Sequence, residues 1–291
     1  MITNNLNPIL FQYSFITIRW YGLFLALGVG IAIYIIAKLF KQKKYPINLA
    51  YDLCTWLIVG GLIGARLGEI LFYEPTFYFT HPLEMIMINH GGLSSHGMTI
   101  GLLLTFFLFI KIKANNPLNP PLLRGKNDVT PLEKGGRGGL LDWRKILDIL
   151  IIPIPLLAMF IRIGNFFNSE IVGRATNLPW GVYFPNYELN PVLRHPAQLY
   201  EALALLIIFI ILYFSYKKYV SRGVTLRDKE KLPNLFIFHL FLILYFSSRF
   251  IIEFVKEFPT YFGLTTGQWL SVPFVVWGII YFINILKQKK N

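Results

Sequence analysis

Long apolar stretches alternate along this chain with short polar, basic ones, a rhythm that predicts helices crossing a membrane. Runs long enough to span the hydrocarbon fall near residues 18–40, 50–73, 97–113, 146–166, 198–216, 234–255 and 268–286. They predict an all-α polytopic membrane protein with about seven transmembrane helices. The fourth run opens on Ile-Ile-Pro-Ile-Pro, so Pro153 and Pro155 are expected to bend or shorten it. Residues 1–17 carry no Lys or Arg, unlike a secretory signal, so the first run is expected to be retained. Residues 115–140 lack apolar periodicity and are rich in Pro, Gly and mixed charge. They predict a disordered, dispensable cytoplasmic insertion in a single transmembrane domain spanning 1–291.

Composition agrees: 55% of the residues are hydrophobic and 15% charged, with a mean hydropathy of +0.52. The formal charge of +13 would fit nucleic acid in a soluble protein. Here the basic residues lie in clusters between apolar runs, a topology signal and no nucleic-acid surface. Clusters at 38–44, 111–145, 217–231 and 287–290 hold 21 of the 28 Lys and Arg, against three in the opposite loops. The positive-inside rule therefore predicts a cytoplasmic C-terminus and an external N-terminus. The single cysteine, Cys54, excludes an internal disulfide, and the five histidines lack metal-ligand spacing, so no metal or cofactor is expected.

Four arginines fall inside or at the ends of the spans: Arg19, Arg66, Arg162 and Arg249. A charge in hydrocarbon is costly unless paired, hydrated or snorkelling, so each is a candidate for function. Arg19, near an interface, is read as an anchor. Arg66 and Glu69 at i,i+3, and Arg249 and Glu253 at i,i+4, are spaced for ion pairs on one helix face. The remaining polar residues of the spans gather toward the external side: Tyr21, His96 beside Gly91, Gly92 and Gly97, Arg162 with Asn165, and Gln198 with Glu201. A shared polar cavity in the external half of the bilayer is expected. Gly60, Gly64 and Gly68 form a small-xxx-small stripe that needs no role beyond helix packing.

The stretch RIGNFFNSEIVGRAT, from Arg162 to Thr176, resembles the signature of bacterial prolipoprotein diacylglyceryl transferases. The motifs IRWYG, GARLG, GGLSSHG, PWGVYFP, RHPAQLYEA, RFIIEF and GQWLSVP also resemble that family's and follow its order, so the likeness covers nearly everything outside 115–140. Departures are modest: Met98 and Ile161 stand where the family often has glycine. The resemblance implies a bacterial inner-membrane enzyme acting on phosphatidylglycerol among the membrane lipids and on prolipoprotein lipobox peptides, without a cofactor. The diacylglyceryl group passes to the lipobox cysteine thiol, and glycerol 1-phosphate leaves. Carried over residue by residue, it implies catalytic roles for Tyr21, His96 and Arg249, and phospholipid binding by Arg162, Asn165, Glu170 and Gly173. Glu253, Arg66 and Glu69 are expected to support them.

His96 is the candidate base for the thiol, or else a lipid-positioning group beside an arginine that lowers the thiol pKa directly. Tyr21 either bonds the head group or is an interfacial aromatic. An anion transporter would also gather membrane arginines, but its site usually lies near the midplane between repeats, and no internal repeat is found.

Overall fold

The structure is a computed structural model that describes residues 2–14, 16–87, 91–115, 142–222 and 233–290. Segment 115–140, expected to be a disordered insertion, lies outside the described residues apart from its first. Seven helical segments are long and apolar enough to cross a membrane: Trp20–Gln42, Ile47–Tyr73, Ser95–Lys113, Trp143–Phe167, Ala197–Lys218, Phe236–Val255 and Thr266–Gln288. Every end lies within three residues of its predicted position. Many large apolar side chains on these helices are exposed, among them Leu103, Leu104, Phe107, Val276 and Ile280. That is the pattern expected of helices whose outer faces meet lipid, where apolar surface costs nothing to expose.

In chain order the helices are α1 (Trp20–Gln42), α2 (Ile47–Gly68), α3 (Pro75–Thr80), α4 (Ser95–Asn115), α5 (Trp143–Ile151), α6 (Ile154–Phe167), α7 (Ala197–Arg222), α8 (Phe236–Ile252) and α9 (Thr266–Lys290). A π turn, Glu69–Tyr73, extends α2, and a 3-10 turn, Glu253–Val255, ends α8. The fourth span is two helices, as its prolines predict: α5 stops at Ile151, and Pro155 sits in the first turn of α6, where its missing amide is harmless. The chain forms two compact units, residues 37–146 and residues 1–36 with 147–291.

In the unit of residues 37–146, α2 packs against α4 through glycines on both sides. A Cβ on Gly64 would lie 2.5 Å from the Gly97 carbonyl oxygen and 2.7 Å from Gly101 Cα. The two backbones therefore touch, as the predicted small-residue stripe requires.

In the other unit, α6 packs on α7, α7 on α8, and α8 on α9. Ile152, Leu205, Ile208, Leu212, Ile237 and Leu242 form part of its buried interior. This unit also carries short strands that hydrophobic periodicity did not signal. β1 (Ile2–Thr3) runs parallel to β4 (Val182–Tyr183), which pairs antiparallel with β5 (Leu193–Arg194). β2 (Ile9–Tyr13) pairs with β3 (Ile16–Arg19), and β6 (Thr260–Tyr261) with β7 (Leu264–Thr265). Most of these strands are only two residues long, too short to show an alternating pattern.

Candidate active site

The C-terminal end of α6 presents Arg162 and Asn165 one turn apart, on one helix face. Arg162 Nε lies 2.8 Å from Glu201 Oε2 of α7 in an ion pair, and its Nη1 donates to Asn165 Oδ1 at 3.2 Å. One of its five N–H donors is thus hydrogen-bonded, and the Glu201 contact is a charge pair on the Nε side. Asn165 in turn donates to Glu170 Oε2 at 2.9 Å, and Asn168 donates to Glu170 Oε1 at 3.1 Å. Ser169 and Ile171, which flank Glu170, have φ of 57° and 55°. For β-branched Ile171 that conformation is strained, a feature that concentrates at functional sites. The loop is fixed from two further directions: Gln198 Nε2 donates to the Glu170 carbonyl at 2.5 Å, and buried Asn4 donates to the Phe166 carbonyl at 2.7 Å.

Glu201 is shared. Its Oε1 accepts from Lys256 Nζ at 2.6 Å, and both side chains are buried. Lys256 lies 3.7 Å from Glu253 Oε2, and Glu253 Oε1 accepts from the Thr265 hydroxyl at 3.1 Å. Thr265 also caps α9. Its Oγ1 accepts from the Gln268 amide at 3.2 Å, while Gln268 Oε1 accepts from the Thr265 amide at 2.9 Å, a reciprocal capping box. Arg249 and Glu253 do not form the i,i+4 pair their spacing allows, because α8 ends at Ile252 and Glu253 turns toward Thr265.

Arg162 and Arg249 line one pocket with Glu201, Tyr245, Ser248 and Ile252. Its volume is about 30 Å³, room for roughly one water. Among the described residues no hydrogen bond or ion pair engages the Arg249 guanidinium. Three cations, Arg162, Arg249 and Lys256, thus stand with the carboxylates of Glu201 and Glu253, and a third carboxylate, Glu170, is linked to Arg162 through Asn165. A wider depression of about 530 Å³, lined by Ala175, Thr176, Asn177, Tyr183, Pro191, Val192 and Leu193, has no charged side chain and suits an anion less well.

Two glycines permit this arrangement. A Cβ on Gly164 would meet Tyr21 Cδ2 at 2.9 Å and Tyr21 Cα at 3.2 Å, so Gly164 lets α1 lie against α6 at Tyr21. A Cβ on Gly173 would lie 2.6 Å from the Cβ and carbonyl oxygen of His195 and 2.7 Å from the Val255 carbonyl. Gly173 pairs with Lys256 in an antiparallel bridge, its amide donates to His195 O at 2.9 Å, and the Arg174 amide donates to Val255 O at 2.8 Å. The loop after α6 is thereby fastened to the segment carrying Lys256. Beyond it, Arg194 grips Glu188 through Nε at 2.9 Å and Nη2 at 2.8 Å, and reaches Glu257 at 2.9 Å. The Arg194 hydrogen bond holds the Glu188 carboxyl below its usual range, and burial, then the Arg174 charge, lowers the His195 pKa.

The unit of residues 37–146 holds the other predicted residues. Arg66 does not pair with Glu69, where α2 passes into the π turn. Its guanidinium instead donates to the carbonyls of Met85, Gly91, Gly92 and Met87 at 3.0, 2.7, 2.8 and 3.2 Å, to the Glu84 carbonyl, and to Tyr78 Oη at 3.1 Å. Gly91 and Gly92 have φ of 91° and 70°, which turn their carbonyls onto it. Arg66 is a clamp on the chain between α2 and α4. At the exposed start of α4, His96 Nδ1 lies 3.0 Å from Tyr73 Oη.

Sequence reasoning missed Lys256, counted only as a loop lysine, and gave Glu201 a place in the cavity but no partner. No local signal could have joined them, because 55 residues separate the two. Among the described residues no group of three His, Cys, Asp or Glu converges to hold a metal ion.

Fold and site together define a polytopic membrane protein with a small pocket between α6, α7 and α8 lined by Arg162, Arg249 and Glu201. The profile of the family described as prolipoprotein diacylglyceryl transferase matches residues 8–120 and 136–284. A phosphatidylglycerol--prolipoprotein diacylglyceryl transferase of Tolumonas auensis is 36% identical over 293 residues, covering 99% of each chain. Similar proteins of the same name from Bacteroides fragilis and Wolbachia pipientis wMel are 35% and 32% identical, over 99% of this chain and 96% and 98% of theirs. The chain belongs to the prolipoprotein diacylglyceryl transferase family.

Proposed function

We infer that the protein transfers the diacylglyceryl group of phosphatidylglycerol to the lipobox cysteine thiol of prolipoproteins, the first step of bacterial lipoprotein maturation. Membership of the family supports this reaction. The structural observation that carries it is the convergence of Arg162 and Arg249 on one pocket in which, among the described residues, no hydrogen bond or ion pair engages the Arg249 guanidinium. A guanidinium without a partner suits the negative charge of a phosphodiester.

In the reaction the cysteine sulfur attacks the glycerol carbon that bears the phosphate ester. The carbon–sulfur bond forms as the carbon–oxygen bond breaks, and the electron pair leaves on glycerol 1-phosphate. The Nη edge of Arg162 binds the lipid phosphate, and Arg249 stabilises the charge as it builds on the departing oxygen. Since the pocket holds about one water, its lining side chains move apart to admit the head group. A thiol of pKa near 8.5 is only a few per cent ionised at neutral pH, and His96 draws off its proton. Tyr21, fixed against Gly164, bonds the head group, while Asn165 and Glu170 hold the Arg162 edge in place and Gly173 anchors their loop.

The basic loops support an external N-terminus, a cytoplasmic C-terminus and a site facing the external leaflet of the inner membrane. The family match breaks at residues 121–135, which supports reading 115–140 as an insertion into a single catalytic domain. The test is mass spectrometry of a lipobox peptide incubated with purified protein and phosphatidylglycerol. The diacylglyceryl adduct is expected, and Arg162→Lys, which keeps the charge but loses the planar fork, should slow its formation on the order of a hundredfold. Near-normal turnover of that variant rules out the bidentate role, and no adduct from the wild type rules out the reaction.

A further inference from the structure

We propose that Lys256 is a positioning residue that sets how strongly Arg162 binds the lipid phosphodiester, acting through the carboxylate of Glu201 that the two cations share. The inference rests on the proposed reaction and on the pocket described above, and it deepens that reading.

Each oxygen of Glu201 serves one cation: Oε2 takes Arg162 Nε at 2.8 Å, and Oε1 takes Lys256 Nζ at 2.6 Å. The side chains of Glu201 and Lys256 are 8% and 4% exposed, so water contributes little and the strength of each contact depends on the other. Lys256 is absent from the pocket lining. Anything it does to the lipid passes through the carboxylates it touches, Glu201 at 2.6 Å and, more distantly, Glu253 at 3.7 Å.

An isolated Arg–carboxylate pair tends to close into a two-pronged contact in which the anion neutralises the guanidinium. A phosphate must then compete with that carboxylate. By occupying Oε1, Lys256 holds Glu201 to a single contact on Nε and leaves the Nη edge of Arg162 open. The Lys256 ammonium also offsets the Glu201 charge, so that carboxylate cancels less of the Arg162 charge that faces a phosphodiester.

The backbone places Lys256 independently of that ammonium. Its amide donates to Glu253 O at 3.1 Å, and the residue pairs with Gly173 in the bridge that fastens the loop after α6. Lys256 therefore sits on the segment that follows Arg249 and against the carboxylate paired with Arg162.

The experiment measures initial rates of lipobox-peptide modification in detergent micelles while the mole fraction of phosphatidylglycerol and the peptide concentration are varied separately. Lys256→Met should raise the KM for phosphatidylglycerol about tenfold, a coupling of the size found between interacting neighbours, and leave the peptide KM unchanged. Lys256→Arg should restore the wild-type value. In a double-mutant cycle, Lys256→Met should add nothing to Glu201→Gln, because its effect needs the carboxylate. A merely structural role would lower apparent kcat at constant KM, and its cost would add to that of Glu201→Gln. Either result overturns the proposal. If Lys256→Met does not fold, Lys256→Gln, which can still hydrogen-bond Glu201 but carries no charge, should show the same rise in lipid KM, and an unchanged KM there also overturns it. A wild type that forms no adduct overturns the reaction itself together with this inference, whereas an active wild type with an indifferent Lys256 overturns the inference alone.

Discussion

Replacing Gly173 with alanine puts a methyl group where two backbone carbonyls and the His195 Cβ leave no room. The added carbon would lie 2.6 Å from both the Cβ and the carbonyl oxygen of His195, and 2.7 Å from the Val255 carbonyl. Non-bonded carbons rest roughly 3.5–4.0 Å apart, so the chain must open by close to 1 Å. No flexible side-chain end is available to yield. The two flanking segments are joined to the glycine's own segment by hydrogen bonds of 2.9 and 2.8 Å, which must stretch or break together. Forcing an extra methyl into such a site typically costs about 1–3 kcal/mol. Removing glycine from the unfolded chain returns about 0.4–1 kcal/mol of that, leaving a net loss of about 1–2 kcal/mol. Turnover should fall further than this implies, because Gly173 is the bridge partner of Lys256 and a displacement near 1 Å at a catalytic constellation can cost about a hundredfold in rate. The assay pairs thermal unfolding in detergent with adduct formation well below the midpoint. A variant that unfolds slightly early and is nearly inactive while folded fits the reasoning. Wild-type adduct formation by Gly173→Ala would refute it.

Three further outcomes follow from the geometry. Gly64→Ala should destabilise the unit of residues 37–146 by about 1–3 kcal/mol by pushing α2 off α4, whereas Gly30→Ala, with nothing within 4 Å of the new carbon, should stay within about 0.5 kcal/mol of wild type in the same unfolding experiment. His96→Gln should lower turnover on the order of a hundredfold at pH 7 and recover toward pH 9 as the substrate thiol ionises unaided; a flat pH–rate profile would remove His96 as the base. His195 is held below its ordinary pKa of 6.5 by burial and Arg174, so its contribution to stability is present above 6.5 and is lost as pH falls from there through the folded value. The Arg194 hydrogen bond likewise depresses Glu188, whose contribution is lost on further acidification below its ordinary 4.5. Protection factors for hydrogen exchange over residues 173–195, with the intrinsic pH dependence of amide exchange divided out, should therefore fall in two acid steps, and His195→Gln should abolish only the first.

The sequence alone determined what the solvent dictates. A bilayer leaves no water to satisfy an open backbone, so each crossing needs a long apolar helix, and the seven spans, the proline break before α6 and the glycine seam between α2 and α4 were all legible as linear pattern. The candidate arginines were legible too, since a charge in hydrocarbon demands a reason. Their partners were not. Helical spacing pointed Arg66 to Glu69 and Arg249 to Glu253, but a π turn and a helix end intervene, and the folded chain gives Arg66 a ring of carbonyls and Glu253 a threonine. Asn4 caps the end of α6 from 162 residues away, and Lys256 reaches Glu201 across 55. Such contacts depend on which helices lie side by side and where each one ends. Those are properties of three-dimensional packing, and the order of residues along a single helix does not encode them.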